Sequence, residues 1–120
     1  MRDFKKLDIW QRGLELSLQI YEATASFPAE ERFGLTSQLR RAATSIPINI
    51  AEGTGRVSKK DFAHFLHIAE GSANEVECEL IIAKGLNYLS PNICETLINE
   101  VNEIKKMIVV FRSKLESDFQ

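Results

Sequence analysis

The chain is poor in the residues that mark specialised folds. Its 120 residues include two cysteines, three prolines, two histidines and one tryptophan. Cys78 and Cys94 form no Cys-x-x-Cys pair, which speaks against a thiolate metal knuckle or a disulfide scaffold and for two packed, reduced thiols. No long apolar run occurs. The longest, Met107–Phe111, is far short of the ~20 residues a membrane span needs. The charged start, MRDFKKLDIW, leads into no apolar signal region, so a cytoplasmic protein without membrane contact is expected. An excess of charge of one sign is also missing. Fifteen Lys and Arg against 17 Asp and Glu give a net charge of −2, not the basic balance of a typical nucleic-acid-binding domain. The halves differ, however: residues 1–60 hold 10 basic and 7 acidic side chains, residues 61–120 hold 5 and 10.

Catalytic signatures are absent too. No Gly-x-Ser-x-Gly, P-loop or Gly-x-Gly-x-x-Gly occurs, and Gly53-Thr54-Gly55 lacks the strand–helix setting of a phosphate loop. The expectation is a protein that is not an enzyme and holds no cofactor. His64-x-x-His67-x-x-Glu70 is the one cluster of potential metal ligands. Helical bundles that bind two metals draw carboxylates from all four helices, so a small metal-dependent enzyme using these three residues is the weaker alternative.

What the chain does have is helical periodicity. A hydrophobic content of 44% with 27% charged residues describes one ordinary globular domain, residues 1–120. Apolar residues recur with a 3.6-residue period in four segments, about 7–25, 35–56, 59–86 and 91–116. The spacing gives core stripes of Leu7, Trp10, Leu14, Leu18, Tyr21 and Ala25 on the first helix and Leu35, Leu39, Ala42, Ile46 and Ile50 on the second. The third presents Phe62, Phe65, Leu66, Ala69, Ala73, Val76, Leu80 and Ala83, and the fourth Ile93, Leu97, Val101, Ile104, Ile108, Phe111 and Leu115. Ser58 with Asp61, and Ser90 with Pro91, are helix-start signals; Gly85 or Asn87 ends the third helix. Pro47 lacks an amide donor, so the second helix should kink near Ala43–Pro47. Short connections between long helices imply an all-α, up-down antiparallel four-helix bundle.

Some apolar residues fall outside these stripes. Ile9, Gly13, Leu16 and Ile20 on the first helix, and Gly71, Cys78, Ile81, Ile82 and Gly85 on the third, form second rows. A helix that is apolar on two sides is covered on two sides, and a mid-helix glycine costs about 1 kcal/mol relative to alanine. These rows therefore predict a homo-oligomer built through the first and third helices, with Ile9, Gly13, Leu16, Ile20, Gly71, Cys78 and Ile82 at its interface.

The segment RRAATSIPINIAEG, residues 40–53, adds a polar row beside its stripe: Arg41, Ser45, Asn49 and Glu52. Glu70 and Glu77 flank the core of the third helix and are the natural partners for Arg41, which predicts an internal polar network. Arg40 points away from the stripe, and Arg56, Lys59 and Lys60 gather at the turn that follows. These four are the candidate nucleic-acid contacts. No aromatic stacking platform or RNA-binding signature accompanies them.

FPAEERFGLTSQLRRAATSIPINIAEG followed by SKKDFAHFLHIAEGSANEVECEL resembles the bacterial four-helix bundle proteins encoded within intervening sequences of large-subunit ribosomal RNA genes. The resemblance is carried by Arg40, Arg41, Ser45, Pro47, Asn49, Glu52, Gly53, Gly71, Ser72 and Glu75 among others, and covers about residues 4–115. It implies an up-down bundle assembled as a cyclic pentamer, and it supplies no catalytic residues. It extends to the accessory proteins of diversity-generating retroelements, which are basic and bind nucleic acid and a reverse transcriptase. This chain has a pI near 5.7. The functional expectation is an oligomeric, non-enzymatic interaction scaffold associated with RNA, with a protein-binding adaptor as the alternative.

Overall fold

The computed structural model describes residues 3–119. Helices fill the chain: α1 Asp8–Thr24, α2 Leu35–Thr54, α3 Lys59–Gly85 and α4 Pro91–Glu116, with 3-10 turns at Phe4–Lys6 and Ala29–Glu31. No strand occurs among the described residues. Each helix packs on two neighbours in the ring α1–α2–α3–α4, and among the described residues no close backbone approach links α1 to α3 or α2 to α4. The diagonal helices therefore present their outer faces in opposite directions.

The helix ends follow from local chemistry. Ser58 accepts a hydrogen bond from the Asp61 amide at 3.1 Å and Ser90 one from Ile93 at 3.2 Å, which satisfies amide donors that have no partner inside their helices. The start of α2 is capped from a distance. Glu31 Oε1 accepts the Leu35 amide at 3.1 Å while its Oε2 accepts the Tyr88 hydroxyl at 2.9 Å. A β-carbon on Gly34 would lie 2.8 Å from Glu31 Oε1, so the glycine leaves room for that cap. Of the two candidates for ending α3, Gly85 stays helical and Asn87 takes the left-handed conformation, φ 63°. The Tyr88 amide then reaches back to the Ala83 carbonyl at 2.9 Å.

Pro47 is buried inside α2, and the helix is continuous around it. The proline withholds the amide that would have bonded the Ala43 carbonyl. Ser17 of α1 compensates: its hydroxyl lies 3.1 Å from the Ala43 oxygen and 2.9 Å from that of Gly13, donating to the two in a shared bond. Gly13 makes this approach feasible, since a β-carbon there would stand 3.3 Å from Ile46 Cγ2 and 3.4 Å from Pro47 Cδ.

That contact overturns the expected facing of α1. Ile9, Leu16 and Ile20 are in the core with Gly13, whereas Leu14, Leu18 and Tyr21 are exposed by 39%, 59% and 47%. The larger row lost because a helix carrying Gly13 and Ser17 on its inner side can come close to Pro47, which a wall of Trp10, Leu14 and Tyr21 could not. The stripes of α2 and α3 are buried apart from Phe65, which is half-buried; on α4, Ile93 is exposed, Phe111 is half-buried and Cys94 joins the core. Burial raises the Cys94 thiol pKa above its ordinary value.

Candidate interaction surfaces

The polar row of α2 meets α3 through hydroxyls. Ser45 and Ser72 share a 2.9 Å hydrogen bond, and the Asn49 amide donates to the Ser45 carbonyl and hydroxyl at 2.8 and 2.9 Å. The expected pairing of Arg41 with Glu70 or Glu77 does not form. Arg41 is exposed on the outer edge of α2, and α4 supplies the cations instead. Arg112 pairs with Glu70 at 2.9 Å and Lys105 with Glu77 at 2.8 Å. The Lys105 bond also holds the Glu77 carboxyl below its usual pKa. Both glutamates lie on the side of α3 that faces α4, a seam that spacing along α2 alone could not reveal. Glu52 pairs with Arg56, just beyond the end of α2, at 3.3 Å.

Arg40 is another correction. It is half-buried rather than solvent-facing. Its Nε donates to Thr24 Oγ1 at 2.8 Å and its guanidinium lies 4.5 Å from the Tyr21 ring centroid, so it fastens α2 to α1. Arg56 sits 4.6 Å over the Phe65 ring and Lys59 pairs with Asp118 at 2.9 Å. Lys60 is exposed without an ion-pair partner among the described residues. Of the four candidate nucleic-acid contacts, three are thus engaged within the chain.

His64 and His67 are exposed. His67 Nδ1 is 4.0 Å from Glu70 Oε1, the oxygen held at 2.9 Å by Arg112, while His64 packs against Phe65. Among the described residues no three His, Cys, Asp or Glu side chains converge as a metal site.

The expected interface residues divide. Ile9, Gly13, Leu16 and Ile20 are spent inside the protomer, whereas Gly71, Cys78 and Ile82 are exposed on α3. Ile68, one turn before Gly71, continues their row at 37% exposure and Ile82 is exposed by 47%. A β-carbon on Gly71 or Gly85 would meet nothing within 4 Å, so neither glycine is required by the protomer's own packing. The outer row of α1 is Leu14, Leu18 and Tyr21, on the helix diagonal to α3.

Glu79 reads in the sequence as one of a cluster of carboxylates on the third helix, with Glu70, Glu75 and Glu77, and nothing in that spacing marks it as buried. Glu79 is 6% exposed on α3, and its Oε1 has no hydrogen-bond partner. Burial, reinforced by the like charge of Glu75, pushes its pKa up to about 7. Sequence reasoning missed a groove of about 680 Å³ between the start of α1 and the end of α4, edged by lysines. No helix of the described residues is long and apolar enough to cross a membrane.

The chain is similar over 87% of its length to a crystallised protein of unknown function from the S23 ribosomal protein family of Bacteroides thetaiotaomicron VPI-5482. The two are 28% identical, with a TM-score of 0.78 and 97% of that chain covered. No curated protein matches. The family model described as 23S rRNA-intervening sequence protein matches residues 5–110. A match over residues 5–110 of a 120-residue, four-helix chain places it in the 23S rRNA-intervening sequence protein family.

Proposed function

We propose that this protein is a non-enzymatic scaffold that assembles with copies of itself and associates with RNA. The observation that carries the reading is the outer face of α3, where Ile68, Gly71, Cys78 and Ile82 are exposed around a glycine with open space above it. A mid-helix glycine with no intramolecular use is explained by another backbone approaching closely. The apolar row of α1 faces the opposite way, so α1 of one copy meets α3 of the next. Such head-to-tail contacts close into a ring when the rotation from one copy to the next divides a full turn. An up-down antiparallel bundle accords with the pairings Cys94–Leu80, Lys105–Glu77, Arg112–Glu70 and Asp118–Lys59, in which one number rises as the other falls. A cyclic pentamer, and kinship with the retroelement accessory proteins, belong to this reading through the family resemblance.

RNA association draws support from the family description and from Lys60 and its neighbours at the α2–α3 turn. Light scattering coupled to size exclusion tests the assembly; a monomer at micromolar concentration overturns it. The RNA part predicts a salt-dependent gel shift of structured RNA that weakens when Arg56, Lys59 and Lys60 are neutralised. If no shift occurs at low salt, the adaptor reading replaces it, favoured by the net charge of −2 and by the internal pairing of Arg40, Arg56 and Lys59. A cytoplasmic location accompanies either reading.

A further inference from the structure

We propose that the groove between the start of α1 and the last turns of α4 is a docking site for an acidic amphipathic helix of a partner protein. Its floor is apolar, formed by Leu7, Met107, Phe111 and Leu115. Lys106, Val110 and Lys114 line it at spacing i, i+4, i+8, so they form one ridge of α4 about 12 Å long. All three are exposed, Val110 by 54%. Lys6 adds a further cation from the 3-10 turn leading into α1. Lys59 is committed to Asp118 at 2.9 Å, but Lys6, Lys106 and Lys114 have no ion-pair partner among the described residues.

Charge and shape together select the occupant. Three lysines without ion-pair partners outnumber the one carboxylate of the lining outside the Lys59–Asp118 pair, Asp8, so the trough is basic in a chain of net charge −2. Two turns of helix carrying acid, leucine and acid at the same four-residue spacing would lay the leucine against Val110 and Met107 and set its carboxylates beside Lys106 and Lys114. That is the helix-in-groove mode, with apolar anchors giving affinity and flanking charges giving orientation. A single-stranded nucleic acid fits less well, because it binds by stacking bases on free aromatic faces. The one ring in the floor, Phe111, is packed at 5.4 Å on Phe62. The site requires neither self-assembly nor RNA binding.

The test uses a fluorescein-labelled designed helix with leucines at i, i+4 and i+7 and glutamates on both flanks, titrated with the whole protein and read by fluorescence anisotropy. Saturable binding is expected, falling at least about tenfold in Lys106→Glu/Lys114→Glu and again in Val110→Asp. Lys84→Glu, an exposed change outside the groove, should leave it unchanged. Circular dichroism confirms that each variant is folded. Equal binding of a scrambled peptide, unaltered affinity in the groove variants, or no binding at about 100 μM protein overturns the proposal. So does binding of oligouridine, in place of the peptide, that the groove variants abolish. Self-association lost in the double lysine variant would make a second copy the occupant and overturn it likewise.

Discussion

Glu79→Gln should stabilise the protein at neutral and alkaline pH, and considerably less in mild acid. Glu79 is buried with an unpartnered oxygen, and its pKa rises from 4.5 to about 7, first through desolvation and then through the charge of Glu75. An acid whose folded pKa is raised keeps its proton in the native state at a pH where the unfolded chain has lost it. Stability is therefore undiminished below pH 4.5, declines as pH rises toward 7, and stays low above. A tenfold difference in acidity between the folded and unfolded chains is worth about 1.4 kcal/mol. The group then costs on the order of 1 kcal/mol at pH 5 and roughly 3 kcal/mol at pH 8.

Urea unfolding of the wild type and the variant at pH 5 and pH 8, at one protein concentration, isolates the effect. Other titrating groups, Glu77 included, act on both proteins and cancel in the difference. The variant should gain about 2 kcal/mol more at pH 8 than at pH 5. Glutamine keeps the shape of the protonated acid, so overpacking does not enter. Parallel pH profiles for the two proteins would refute the reasoning, because they would mean that Glu79 ionises as freely in the folded chain as in the unfolded one.

Four further outcomes are expected. Ser17→Ala leaves the Ala43 carbonyl without a donor and should cost about 1–2 kcal/mol in urea unfolding. Gly53→Ala would place a β-carbon 2.7 Å from Phe62 Cδ1 and 3.0 Å from Phe65 Cβ, forcing α2 and α3 apart at a cost of about 1–3 kcal/mol in the same measurement. Gly71→Ala, with open space around it, should raise the helical stability of a protomer by up to about 1 kcal/mol yet weaken the assembly seen by light scattering; tighter assembly would contradict the α3 interface. Glu31→Ala should bring the Tyr88 phenol, now held above its ordinary pKa chiefly by its hydrogen bond to Glu31, back toward that value in an ultraviolet titration.

The helices are legible in the sequence wherever one stripe clearly outweighs any second row. On α2 and α3 the stripe residues at i, i+3 and i+4 are buried, apart from the half-buried Phe65, and Ser58 and Ser90 cap as their positions suggest. Periodicity fails on α1 because two rows are both apolar and size favours the wrong one. The deciding signal lies in another segment: an interior proline needs a neighbour small enough to approach it and able to donate a hydrogen bond. Gly13 and Ser17, one turn apart, are that neighbour. A proline inside a buried helix is therefore a reason to search the other helices for a small residue followed four positions later by a hydroxyl.

Surface chemistry is harder to read, because a helical wheel separates inside from outside but does not say which neighbour lies across a seam. Arg41 and Glu70 have suitable charges and positions, yet the partner of Glu70 is Arg112, 42 residues further along the chain. Arg40 reads as solvent-facing on its own helix and is covered by α1. The lysine-edged groove draws Lys6, Lys106 and Lys114 from segments about 100 residues apart, and each alone reads as an ordinary solvated charge. The second half of the chain has only five basic side chains, and four of them, Lys105, Lys106, Arg112 and Lys114, lie on α4. Two of those neutralise α3 and the other two are left facing the groove. Charge counted along the chain makes the second half acidic; charge counted by helix face separates internal pairing from a basic edge.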